Sequence, residues 1–98
     1  MIFSQERLIA MILPLLHKYH AQGAILFGSY ARNEADAQSD IDLIVLGDSS
    51  FDPTNVFCIA DELHRIAGKQ VDVYALQEID QNSEFYRTIL REGVSIAA

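Results

Sequence analysis

The sequence predicts an α/β domain, a small sheet flanked by helices. Three observations lead there. Apolar residues at helical spacing open the chain, three short runs rich in branched residues follow, and helical segments with recognisable ends separate the later runs. Ninety-eight residues make one domain, 1–98, with one core.

Ser4 is placed to cap a first helix in which Leu8, Ile9, Ile12, Leu15, Leu16 and Tyr19 recur at helical spacing. Pro14 lies inside that pattern and is expected to kink or split it. "AILFG" (24–28) reads as a short buried strand ending at a glycine, and "IDLIVLG" (41–47) as a second strand closed by Gly47. Asp52-Pro53 has the form of an N-cap followed by proline at the first helical position. Val56, Ala60, Leu63 and Ala67 then share one helical face, and Gly68 ends it. "QVDVY" (70–74) is a third strand. A last helix is expected over 83–91, with Phe85, Ile89 and Leu90 inward and Gly93 after it, and "VSIA" adds an edge strand. There is no internal repeat, linker or low-complexity segment.

Composition narrows the function. Half of the residues are apolar and 21% are charged, which suits a globular chain. A net charge of −7 argues against direct nucleic-acid binding, which needs a Lys/Arg footprint on phosphates. It leaves room for a nucleotide, because a divalent cation can supply positive charge locally. Cys58 is the single cysteine, so there is no disulfide framework, as expected in a reducing cytoplasm. Arg7 followed by "LIAMILPLL" faintly resembles a secretory signal, but Glu6 and the following "HKYHAQG" weaken the match. The run is too short to span a membrane.

The stretch "GSYARNEADAQSDIDL" (28–43) carries the chemistry. Side chains alternate along a strand, so Asp40 and Asp42 point to the face shared by Ile44 and Leu46, with Ile41, Leu43 and Val45 opposite. Asp72, between Val71 and Val73, joins them if the third strand neighbours the second, and the connection from 47 to 70 is long enough for a helical crossover. Each carboxylate pair at 4 Å costs about 4 kcal/mol at an effective dielectric of 20, so a proton or a cation must offset the repulsion. Oxygen ligands with no His or Cys nearby favour Mg²⁺ or Mn²⁺, and Mg²⁺ is commonly shared with substrate phosphates. Gly28 lets a ligand approach the backbone, and "SYARNEA" with Ser29 at its cap is expected to start a short helix whose free N–H groups receive phosphate oxygens. Such a cradle beside a carboxylate-metal site suits phosphoryl or nucleotidyl transfer.

Taken singly, each feature has an ordinary explanation. A Gly-Ser turn is usually only a turn, an Asp-x-Asp often a solvated strand end, and Asp72 an exposed strand residue. Their order and spacing together favour a site. Arg32 suits a phosphate or an ion pair with Glu34, Asp36 or the aspartates. His17 and His20 have helical spacing but no third metal ligand nearby. His64 and Tyr30 read as surface or half-buried residues, and Phe85 and Tyr86 as core.

These residues resemble the minimal nucleotidyltransferases of the polymerase-beta-like superfamily, the MNT family, whose signature is Gly-Ser, ten residues, then Asp-x-Asp. Gly28-Ser29, the ten residues from Tyr30 to Ser39, and Asp40-Ile41-Asp42 fit without a gap, and "GSYAR", "SDIDL" and "ILREGVSIA" match as words. The resemblance implies a nucleotidyltransferase fold, an α+β arrangement with a small mixed sheet. It implies that Gly28 and Ser29, with Arg32, bind the nucleotide, and that Asp40, Asp42 and Asp72 are catalytic and hold two Mg²⁺ ions, with Mn²⁺ as the substitute. Asp72 would also activate or orient the attacking hydroxyl. The implied reaction moves AMP from ATP with release of pyrophosphate. Asn33 stands where the family often has glycine, and asparagine tolerates the left-handed backbone that such a loop needs.

The chain stops shortly after its last helix, so the acceptor is expected on another molecule. Free minimal nucleotidyltransferases resemble the antitoxin half of pairs whose toxin is a helical HEPN-type ribonuclease, and the resemblance implies AMP transfer to a toxin tyrosine. The acidic surface suits a basic partner. Two alternatives stay open: an antitoxin that neutralises its partner by binding alone, and a catalytic subunit for a small-molecule acceptor.

Overall fold

The computed structural model describes residues 2–98. Ser4 Oγ accepts the Arg7 N–H at 3.1 Å and begins helix α1, Gln5–Lys18. α1 passes through Pro14 as one helix rather than splitting there. Pro14 is exposed, while Ile12, Leu15 and Leu16 on either side are buried and anchor the turns that flank it. The lost backbone bond therefore opens toward water, where it costs least.

Strand β1, Gly23–Phe27, follows, then β2, Ile41–Leu46. Helix α2, Asn55–Ala67, starts two residues later than Asp52-Pro53 suggests. Asp52 Oδ1 accepts the Thr54 N–H at 3.0 Å and the Thr54 hydroxyl at 2.7 Å, so the aspartate closes a turn ahead of the helix instead of capping it. Gly68 ends α2 at a left-handed φ of 69°, its N–H donating to His64 O. Strand β3, Val71–Ala75, leads through a 3₁₀ turn, Leu76–Glu78, to helix α3, Glu84–Glu92, and strand β4, Val94–Ala97, completes the chain. Ser83 caps α3 by accepting the Tyr86 N–H at 3.1 Å.

The sheet runs β3-β2-β1-β4 and is mixed: β2 pairs antiparallel with β1 and parallel with β3, and β4 lies antiparallel at the other edge of β1. One face carries Ala24, Leu26, Ile41, Leu43 and Val45 into the main core, against Leu8, Ile12 and Leu16 of α1 and Ile59 and Leu63 of α2. The other face packs Ile25 and Ile44 against Ile89 of α3, with Phe27 and Leu46 beside them. Alternation along β2 thus divides the two layers as its sequence predicts.

The second layer is the thinner one. Only Ile89 of α3 is buried; Phe85 and Leu90, expected inward, are 48% and 57% exposed. A nine-residue helix over two isoleucines covers part of the sheet face and leaves the rest open. Tyr30, expected near the surface, is buried in the main core, its hydroxyl without a hydrogen-bond partner. Among the described residues no helix is long and apolar enough to cross a membrane.

Leu43 is fully buried at the centre of the main layer. Leu43→Ala should lower unfolding stability by about 2–5 kcal/mol in a urea titration. A loss under about 1 kcal/mol would place the core's weight elsewhere.

Candidate active site at the paired aspartates

Where β1 ends, β2 begins. The antiparallel register sets Phe27 opposite Asp42, and the parallel register sets Asp72 opposite Asp42 on the other side. Partners in register share a face, so Phe27, Asp42 and Asp72 form a row across three strands on the thinly covered side. Asp40 precedes β2 on the loop and is exposed, while Asp42 and Asp72 are half-buried. The sequence-predicted trio is thus gathered at one end of the sheet.

Gly28 closes this end from the β1 side. Its φ is 76°, and a β-carbon there would overlap the Asp42 carboxylate at Oδ2. Both facts call for glycine. Electrostatics show the crowding: Asp42 holds its proton above the usual carboxylate range. Burial is the main cause, followed by the negative charges of Asp72 and Asp40, and Arg32 partly opposes them.

The segment after Gly28 forms turns, not the short helix expected of "SYARNEA". The N–H groups of Ala31 and Arg32 both donate back to Gly28 O at 3.1 and 3.2 Å, and Glu34 N–H donates to Ser29 O at 2.9 Å. Asn33 takes a left-handed φ of 57° and breaks the helical path, in the conformation asparagine tolerates. A helical phosphate cradle is therefore absent from this turn. Gly28, against the Asp42 carboxylate, and the half-buried Ser29 after it remain as the elements of the turn.

Arg32 pairs with Glu34 through Nε at 3.0 Å and, more loosely, with Glu92 of α3 at 3.6 Å. Glu34 was expected; Glu92 was not. At 40% exposure Arg32 is free to exchange these partners for a ligand anion. His17 and His20 are both exposed near the end of α1, away from this face. Among the described residues, no three His, Cys, Asp or Glu side chains as placed form a ready metal cage. The three aspartates still supply an all-oxygen donor set with uncompensated repulsion, which fits a hard divalent cation.

Two residues outside the motif hold its loop. Lys69, buried just before β3, donates from Nζ to the carbonyls of Ala37 and Ser39 at 3.1 and 3.2 Å and lies 5.6 Å from the centre of the Tyr30 ring. Gln5 Nε2 donates to the carbonyls of Tyr30 and Ala31 at 2.9 and 3.2 Å. Lys69 thus steadies the approach to Asp40, and Gln5 the exit from Ser29. Nothing in the spacing of either residue signals this; both act across long sequence separations.

The polymerase beta nucleotidyltransferase family description matches residues 11–98. A Methanocaldococcus jannaschii protein provisionally named a protein adenylyltransferase is 38% identical over 68 residues, spanning 69% of this chain and 73% of its own. A chain from a toxin–antitoxin crystal structure with AMP-PNP superposes with a TM-score of 0.75 at 25% identity, covering 89% of this chain and 70% of the other. A chain from the complex of tri-AMPylated Shewanella oneidensis HEPN toxin with MNT antitoxin gives a TM-score of 0.70 at 24% identity over 93% and 70% of the two chains, a likeness of fold.

Two substitutions test this geometry. Gly28→Ala should cost about 1–3 kcal/mol of stability through its backbone conformation, with displacement of the Asp42 side chain added. For Asp42, a raised folded-state value means that the folded chain binds the proton more tightly than the unfolded one. Stability then falls as pH rises from the ordinary carboxylate range through the raised value, and stays lower above it. Asp42→Asn should raise the thermal midpoint modestly at pH 7, and the gain should vanish at a pH below the ordinary carboxylate range. Equal midpoints at neutral pH would mean that the carboxylates do not strain the fold.

Proposed function

The chain belongs to the polymerase beta nucleotidyltransferase family, and on that premise we propose that it transfers AMP from ATP to a hydroxyl of a partner protein, acting as the antitoxin of a HEPN-type toxin. The observation that carries the reading is the pairing of Asp42 with Asp72 in register, with Asp42 lying against Gly28 and Asp40 two residues before it. A module that only bound its partner would have no physical reason to keep that strained arrangement.

The residues divide the work as follows. Gly28 and Ser29 admit the terminal phosphates to the strand end, and Arg32 leaves its glutamates to pair with them. Asp40 and Asp42 would hold Mg²⁺, with Asp72 available as a further ligand on the neighbouring strand. When bound, the cation offsets the carboxylate repulsion and neutralises charge on the phosphates. The acceptor oxygen attacks the α-phosphorus, the bond from that phosphorus to the pyrophosphate oxygen breaks, and the acceptor's proton passes to Asp72 or to water. The products are an AMP ester and pyrophosphate.

The acceptor follows from the company the fold keeps. Relatives are named for protein adenylyl transfer, and structures that share the fold come from toxin–antitoxin complexes, one with AMP-PNP and one with an AMPylated toxin. A tyrosine hydroxyl is the proposed acceptor, and the net charge of −7 suits docking on a basic ribonuclease.

Intact-protein mass spectrometry decides between transfer and mere binding. A partner co-purified from the native host, incubated with this protein, ATP and Mg²⁺, should gain one AMP or a small multiple. An Asp40→Asn/Asp42→Asn double variant should leave it unmodified. Stable complexes without any mass gain would replace the enzyme reading with a binding antitoxin. Independently of activity, Mg²⁺ should raise the thermal midpoint of the native chain and leave that of the double variant unchanged.

A further inference from the structure

Beside Gly28, on the face that carries Asp42, lies a cavity of about 240 Å³. Phe27, Gly28, Arg32, Phe85, Thr88 and Glu92 line it, and its floor is the second apolar layer of the sheet. Its shape comes from the short α3, which covers Ile25 and Ile44 but leaves Phe27 accessible along one side. The Phe85 ring meets Phe27 edge to face at 5.7 Å, and half of Phe85 remains exposed. An exposed phenylalanine packed edge to face on a part-buried one, beside an open slot, is a surface that water wets poorly and on which a flat ring can stack.

We propose that this cavity seats the base of the nucleoside triphosphate, with Phe85 as its stacking platform. The inference rests on the nucleotidyl-transfer reading and adds to it the place where the base is bound. Continuity carries the assignment. Gly28 is at once the wall of the cavity and the residue against the Asp42 carboxylate. A triphosphate at the aspartates therefore leaves its nucleoside within reach of the slot. The walls are mainly apolar, with Thr88, Arg32 and Glu92 as the polar residues among them. This is the composition of a heterocycle site: π-faces for the ring, a few polar groups for its edge. The loose 3.6 Å Arg32–Glu92 pair spans the two parts of the site. Turning Arg32 toward phosphate would release Glu92 to the base.

Calorimetric titration of the native chain with ATP and with inorganic tripolyphosphate, both in Mg²⁺, separates the base from the phosphates. ATP should bind more tightly by on the order of tenfold or more, the contribution expected of one stacked base. Phe85→Ala should reduce that advantage several-fold and leave tripolyphosphate affinity unchanged. Phe85 is half exposed, so the fold should survive its truncation. Thr88→Trp, which fills the slot from the helix side, should do the same. Equal affinity of the native chain for the two ligands, or unaltered ATP binding in both variants, overturns the assignment while leaving nucleotidyl transfer intact. Binding of neither ligand by the native chain overturns the transfer reading together with it. Unchanged ATP binding with lost AMP transfer in Phe85→Ala overturns the assignment too, and gives the slot to the acceptor protein.

Discussion

Asp42 is held between two strands of opposite sense, and the site depends on that placement. Its antiparallel neighbour turns back at Gly28, directly beside the carboxylate; its parallel neighbour places Asp72, its second residue, directly opposite. In an all-antiparallel sheet the third strand would end here rather than begin here, and the residues just before it, Lys69 among them, would lie at the far end. The crossover through α2 makes the parallel pairing possible and delivers Lys69 to the same end. One topological choice thus brings together the glycine turn, the acidic row and the loop clamp.

The chain accepts a local penalty to build this end. Like charges in register oppose sheet formation, and burial raises the proton affinity of Asp42 further. The offset comes from the aliphatic residues that follow: Leu43, Ile44 and Val45 are almost fully buried on their two faces, and Ile41 lies between the aspartates with none of its surface exposed. Acidic and apolar residues alternate because the same strand must both carry the site and anchor it.

Much of this was legible in the sequence. Period-two alternation in 41–46 separated the two layers of the sheet, and the Gly-Ser and Asp-x-Asp spacing marked the site end. Local patterns were less informative where a neighbour decided the outcome. Phe85 and Leu90 have the spacing of an inward helix face, yet α3 rests on too narrow a strip to bury them. "SYARNEA" has helical propensity, but the backbone at Gly28 and Asn33 diverts it into turns. Gln5 and Lys69 carried no signal at all, because their role is to reach carbonyls 25 to 32 positions away.

The strict pairing of Asp42 with Asp72 also limits how such a chain can change in length. Side chains alternate with a period of two, so one residue gained or lost inside 41–46 or 71–75 would reverse the facing of one part of the strand relative to the other, and either the carboxylate or the buried residues after it would lie on the wrong face. Drift in length is thereby confined to the connections outside the strands, such as 47–54 and 76–83. The strands form a fixed ruler around which the loops can lengthen or shorten.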